Sequence, residues 1–268
     1  MIAVTSDDHW GDLRSGDIAD YEGAAQILDL ISDLRPDMWV KIGDWLDYTR
    51  CGKRQVLKAQ EGRLRGMSFR LRCQGIPLIW VPGNHDRSGR LTDISPFGFD
   101  GGWANTVSPS TVIDGWLLEH GHRFDLFNKG LPFSPLAHAL TRATGYVQEH
   151  WWPGLKDSWI NPVAWISASQ RSQARKNVLH DLAIEAAIKE GIDRICIGHT
   201  HTLDEKRGLI DQNGHGLYHF VNAGACTKEQ APSLVVLYAD ARVDLYEFSH
   251  ATKKWRVTNI PGIRQETV

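Results

Sequence analysis

The chain is poor in cysteine and carries no cysteine pattern. Cys51, Cys73, Cys196 and Cys226 form neither a C-x-x-C pair nor a dense framework. This excludes a disulfide scaffold and a structural zinc site, and reads as unpaired thiols of a reducing compartment. No apolar run reaches the length of a bilayer span. Charge of either sign is also missing in net terms, with 30 Lys and Arg against 32 Asp and Glu, a formal charge of -2. Such a balance speaks against a surface that is basic all over and gives no strong nucleic-acid signal, although it leaves room for a local basic groove. Internal repeats and low-complexity tracts are absent. Met1–Thr5 already reads as a buried strand. The expectation is therefore that no signal peptide precedes the fold and that, with Met1 as the natural start, the protein is cytoplasmic.

What is present is an ordinary globular composition, 42% hydrophobic and 23% charged over 268 residues, enough for one large α/β domain spanning 1–268. Ile2–Thr5 is apolar and β-branched. Ala24, Ile27, Leu28 and Ile31 then recur at helical spacing within Tyr21–Leu34, and Pro36 stops that helix. Met38–Ile42 reads as a second buried strand, Lys53–Cys73 as a basic helix, and Pro77–Val81 as a third strand. The βαβαβ rhythm predicts a parallel sheet with helices outside. Shorter strands are expected at Thr111–Ile113 and Trp116–Glu119. Between about 126 and 169 prolines and aromatics accumulate without strand alternation, which predicts a helical cap insertion. A long helix to about Glu190, closed by Gly191, and a buried strand Ile192–Ile197 follow. From Glu205 onward the pattern predicts short antiparallel strands, among them Gly216–Val221, Ser233–Tyr238 and Arg242–Phe248.

Five polar clusters stand just past strand ends: Asp7-Asp8-His9, Gly43-Asp44, Gly83-Asn84-His85-Asp86, His120-Gly121-His122 and Gly198-His199-Thr200-His201. In an α/β sheet, ligands gather beyond the carboxyl ends of the strands, so all five are expected on one rim. Any one of them reads most simply as a cap or turn. Their succession, with Gly at the adjoining tight positions, does not. Carboxylate and imidazole together suit Mn, Fe or Zn, and no cysteine joins them.

The order S-D-x-H, G-D, G-N-H-D, H-G-H and G-H-T-H resembles the calcineurin-like metallophosphoesterase superfamily over about residues 1–250. The resemblance implies a four-layer α/β/β/α sandwich of two mixed sheets and a dinuclear metal site. Carried over, Asp7, His9 and His201 hold the first ion, Asn84, His120 and His199 the second, and Asp44 bridges them. Two cations about 3.5–4 Å apart clamp a phosphoryl group, and a metal lowers the pKa of its water toward about 7, so hydroxide forms at neutral pH and attacks. His85 is then not a ligand; it lies over the phosphate to stabilise charge or protonate the leaving group, with Asp86 orienting it. Manganese is the expected metal, with iron or zinc as alternatives. His122 is read as completing its loop, Asp8 receives no role, and Arg14, Arg87 and Arg123 are unranked phosphate-binding candidates.

Within the superfamily the chain resembles the bacterial UDP-2,3-diacylglucosamine pyrophosphatase-like branch. His120-Gly121-His122-Arg123-Phe124-Asp125 is similar to its H-G-D-x-F-D, and an insertion follows before G-H-x-H. His85 and His122 depart from that branch's short forms, which carry Arg and Asp there. The cap holds Trp151, Trp152, Trp159 and Trp165 beside Phe127, Phe133, Leu136 and Leu140. The favoured reading is a satellite core; the sharper one is an acyl-chain groove or a patch touching a membrane or lipid. The expected activity is hydrolysis of a phosphodiester or phosphomonoester of a small molecule or nucleotide conjugate. A phosphoprotein fits less well, because Asp86 departs from G-N-H-E and Gly43-Asp44-Trp45-Leu46-Asp47-Tyr48 departs from G-D-x-x-D-R-G at Tyr48. The alternatives are a nuclease using the basic residues of Lys53–Arg72, and a metal-binding scaffold without turnover.

Overall fold

Alternation along three strands decides which way the molecule folds. In the computed structural model, residues 1–13, 17–48, 52–86, 106–108, 110–124, 173–209 and 217–257 are described. The strands β1 (Ile2–Thr5), β2 (Met38–Ile42) and β3 (Leu78–Val81) run parallel. Every second side chain faces the same way. Ala3, Trp39, Leu78 and Trp80 face one side, where they pack with Ile27 and Ile31 of α1 (Tyr21–Leu34) and Val56, Leu64, Met67 and Leu71 of α2 (Lys53–Cys73). Ile2, Val4, Val40, Ile42 and Val81 face the other side and meet a second sheet.

That second sheet contains β5 (Ser110–Ile113), β6 (Trp116–Glu119), β7 (Arg194–Ile197), β8 (Leu203–Leu209) and β9 (Leu217–Ala223), in the spatial order β5-β6-β7-β9-β8. Its inward side chains include Trp116, Leu118, Cys196 and Val221. Leu117, Ile195, Ile197 and Phe220 point outward against Leu179, Ala183 and Ala187 of α3 (Gln173–Lys189). The first sheet is completed by β4 (Thr106–Val107), β10 (Ser233–Leu237), β11 (Val243–Ser249) and β12 (Lys254–Val257), in the order β12-β11-β10-β1-β2-β3-β4. Helices, sheet, sheet and helix give the four-layer α/β/β/α sandwich expected from the sequence.

Local signals explain the helix ends. Asp20 caps α1 by accepting the Gly23 N–H at 2.9 Å, and Arg35 closes it in the left-handed conformation before Pro36. On α2, Arg65 pairs with Glu61 at 2.7 Å and Arg70 with Asp29 at 2.6 Å. Part of its basic face is thus neutralised at the surface.

The C-terminal half departs from the sequence reading. β9 is not only antiparallel: it pairs parallel with β7 and antiparallel with β8. Residue alternation reports which face is buried but not which strand lies alongside. β10 antiparallel beside β1 is likewise a long-range pairing that local pattern does not carry. The two-residue β4 is too short to show a period. The cap expected at about 126–169 lies outside the described residues. Among those described, no helix is long and apolar enough to cross a membrane, and Cys73, Cys196 and Cys226 are free thiols.

Candidate metal centre

All five clusters meet at the carboxyl ends of β1, β2, β3, β6 and β7. Beyond β1 and β2 the chain keeps its sheet-like contact: Asp7 N–H donates to Gly43 O at 3.1 Å, His9 N–H to Asp44 O at 2.8 Å, and Trp10 N–H to Trp45 O at 2.9 Å. The two sheets interlock here because glycine leaves the space. A Cβ on Gly43, whose φ is +93°, would lie 2.1 Å from His120 Nδ1; one on Gly198 would lie 1.8 Å from Ser6 Oγ. Asp7, His9, Asp44, His199 and His201 all adopt the left-handed region, with φ between 46° and 69°. That conformation is uncommon for non-glycine residues and gathers where side chains must be aimed.

Three overlapping donor groups result: Asp7, His9 and His201; His9, Asp44 and His85; Asp44, His120 and His199, with the donor atoms of each within 4.8 Å of one another. His9 Nε2 lies 3.2 Å from His201 Nε2, and Asp7 Oδ1 is 3.2 Å from that same nitrogen. Two imidazole nitrogens at this distance need a proton or a cation between them. His120 Nε2 sits 3.2 Å from Asp44 Oδ2 and 3.1 Å from Asn84 Oδ1. Its Nδ1 is 3.0 Å from the Ile42 carbonyl, so the N–H belongs on Nδ1 and Nε2 faces the carboxylate. Asp7 Oδ2 and Asp44 Oδ1 each accept a backbone N–H at 2.8 Å, from His199 and His85 respectively. The inner oxygens, Asp7 Oδ1 and Asp44 Oδ2, turn toward the imidazoles.

The charges ask for a cation. Burial alone would raise the carboxyl of Asp7, yet His201 and His120 hold it well below the usual range. Asp44 behaves alike, burial being outweighed by His120 and His85. Conversely, burial disfavours charge on His120, but Asp44 and Asp7 push its pKa up to about 9. His9 is lowered, chiefly by burial. A proton on His120 therefore offsets carboxylate charge in the absence of metal, and a divalent ion would replace it. The donor set fits such an ion: buried carboxylate oxygens and ring nitrogens converge with no thiolate.

Asp86 is where the structure differs from the sequence reading. Its carboxylate accepts the backbone N–H of Leu46 at 2.7 Å, Gly83 at 2.9 Å and Trp45 at 3.3 Å. Burial, and then the charge of Asp44, raises its pKa to about 7. It joins the second and third clusters rather than turning the ring of His85. That ring meets Asp47, with Nδ1 at 3.0 Å from Oδ1. The other oxygen of Asp47 lies 3.9 Å from His9 Nδ1. The signal for Asp47 was its place three residues after Asp44. Asp8 turns away from the donors and forms a buried ion pair with Lys41. Arg123 is held by Glu119 at 2.7 Å and Glu190 at 3.4 Å. His122 stands beside His120, ring centres 5.4 Å apart. Arg14 and Arg87 lie outside the described residues.

Solved structures similar to this chain span it almost completely at low identity. A point variant of Vps29 from Entamoeba histolytica is 15% identical, covers 97% of this chain and 98% of its own, and has a TM-score of 0.47. A dimetal phosphatase from Danio rerio is 14% identical over 92% and 95%, with a TM-score of 0.44. A predicted phosphoesterase from Streptococcus pneumoniae is 16% identical over 98% and 93%, with a TM-score of 0.37. No curated protein matches the chain. The model of the family described as calcineurin-like phosphoesterase matches residues 1–203, the stretch that carries all five clusters, and the chain belongs to that family.

Proposed function

We propose that this protein hydrolyses a phosphodiester or phosphomonoester of a small molecule or nucleotide conjugate, using two divalent metal ions. The observation that carries the reading is the set of overlapping donor groups around Asp7 and Asp44, each buried and each flanked by imidazole. Asp7, His9 and His201 would hold one ion, Asn84, His120 and His199 the other, with Asp44 between them. Manganese suits these oxygen and nitrogen donors, and so do iron and zinc. Bound metal would polarise the phosphoryl oxygens and acidify a water molecule.

The chain's own residues do the rest. Asp7 and Asp44 supply negative charge that is already oriented, since each spends one oxygen on a backbone N–H. His85 stands at the partly open side, its side chain 26% exposed, with Nε2 4.0 Å from Asp44 Oδ2. Asp47 accepts its Nδ1–H, which fixes the ring with Nε2 toward the site. When that ring carries a second proton, Nε2–H donates to the phosphate or passes the proton to the departing oxygen. Asp86 keeps the loops after β2 and β3 in register, so that Asp44, Asn84 and His85 stay in one constellation.

The oligonucleotide alternative gains no support from α2, where Arg65 and Arg70 are occupied by acidic partners. The test is a panel of chromogenic monoesters and diesters, assayed with Mn, Zn, Fe and Mg added singly after chelation. Turnover restored by at least one metal is expected, with little dependence on added salt for small diesters. Metal-replete protein inactive across the panel would refute hydrolysis and leave a binding scaffold. Steep salt-dependent loss confined to oligonucleotides would favour a nuclease.

A further inference from the structure

Lys41 is the one charged side chain on the helix-facing side of β2, among Trp39, Leu78 and Trp80. It is 2% exposed. Its ammonium is nonetheless well provided for. One donor goes to Asp8, another to Thr5 Oγ1 at 3.4 Å, and the remaining charge sits 4.8 Å from the Trp39 ring centre and 5.2 Å from that of Trp45. Thr5 Oγ1 is itself fixed by the Trp39 indole N–H at 2.9 Å. Asp8 is equally buried, at 1% exposed.

A buried ion pair is a poor way to gain stability. Desolvation of two charges commonly cancels their attraction, and an apolar pair of similar volume does as well or better. The position of this one suggests another use. Asp8 lies between Asp7 and His9, both in the left-handed region, at φ of 53° and 51°. Those two side chains turn in toward the donor groups, while Asp8 leaves on the opposite side, toward β2. Lys41 stands three residues before Asp44. The same two segments are already joined by Asp7 N–H to Gly43 O and His9 N–H to Asp44 O.

We propose that Lys41 and Asp8 act as a positioning pair. By clamping the middle of the Asp7-Asp8-His9 loop to β2, they hold Asp7 and His9 in the geometry that binds metal. Lys41 also offsets part of the charge that Asp8 adds to a crowded acidic rim beside Asp7, and holds Asp8 away from the donor groups. The inference rests on the metal-centre reading above. Neither residue touches substrate; both act through Asp7 and His9.

Calorimetric titration of the chelated full-length protein with Mn²⁺ alone tests it, without recourse to activity. Lys41→Met and Asp8→Asn keep side-chain size and remove the charge pairing. Each is expected to weaken Mn²⁺ binding by about 10–100-fold, the scale of losing a group that orients a ligand. The double variant should lose less than the product of the two single losses, because the pair acts as a unit. Single variants that bind Mn²⁺ as the parent does, whatever their melting temperature, would overturn the positioning role. If Lys41→Met does not fold, Asp8→Asn decides the question, since Asn retains an acceptor for Lys41 and tolerates many loop conformations. Parent protein that binds no Mn²⁺ would instead overturn the metal centre itself and the pair's role with it.

Discussion

The seven-stranded sheet brings Asp7, Asp44 and Asn84 to the rim together with His9 and His85, whereas the five-stranded sheet brings imidazoles alone, His120, His199 and His201. The two contributions also differ in how they are held. Asp7, Asp44 and His9 are all but inaccessible, and the two carboxylates are tied by backbone N–H groups. His199 and His201 are half-buried, on a short loop past β7. One sheet therefore fixes the charge of the site, and the other closes it with imidazoles that stand nearer to solvent. His120 is the exception on its side, buried and locked through Nδ1 to the carbonyl of Ile42 in the opposite sheet.

This division can be broken experimentally, beginning at its centre. Asp44→Asn keeps shape and the left-handed backbone but removes the charge shared by two donor groups; turnover should fall by about 10³-fold or more. Undiminished turnover would refute the assignment. His85→Asn should lower kcat by about 100-fold, within the range for loss of a proton donor, while Mn²⁺ affinity measured by calorimetry stays close to that of the parent. Parallel loss of metal affinity would move His85 into the ligand set. On the histidine side, His201→Asn should weaken Mn²⁺ by about tenfold, with activity recovered at higher metal concentration, if the more open ligands are the adjustable ones.

The smallest effect concerns pH and the protein without metal. The folded pKa of His120 is raised from 6.5 to about 9, so its contribution to stability is complete below 6.5 and lost as pH rises through 9. Asp86, raised from 3.8 to about 7, acts in the same direction and is spent earlier in the rise. The lowered carboxyls of Asp7 and Asp44 contribute above the ordinary Asp range and lose their effect only in acid. Melting temperature in the presence of chelator should therefore decline between pH 6.5 and 9. With Mn²⁺ the decline should shrink or reverse, since the ion displaces the His120 proton and binds more tightly as pH rises. Identical slopes with and without metal would contradict the idea that protons stand in for the cation.

Much of this arrangement was readable from residue order. Ile2–Thr5, Tyr21–Leu34, Met38–Ile42 and Lys53–Cys73 fall where their periodicity puts them, because burial of one face is a local property of the chain. The five clusters were recognisable since strand ends and metal-binding residue types coincide in sequence. Partners across space were not. The attachment of His85 to Asp47 rather than its neighbour Asp86 depends on how two loops turn. Lys41 gave no sign of its role, for a lysine in an apolar strand looks like an edge residue until Asp8 is seen beneath it. The parallel pairing of β9 with β7 was hidden for the same reason.

The left-handed backbone at Asp7, His9, Asp44, His199 and His201 constrains which amino acids these positions accept, before any chemistry is considered. Non-glycine side chains there cost on the order of 1–2 kcal/mol each, with Asn and Asp the least penalised and β-branched residues the most. Valine or isoleucine at any of the five would strain the loop even in a variant that binds no metal. Asparagine would spare the backbone and remove only the side chain's charge or ring. Substitution patterns at this rim are therefore filtered twice, first by the shape of the main chain and then by the need for a donor atom. A position that tolerates asparagine or glycine but not alanine would reveal the first filter acting alone.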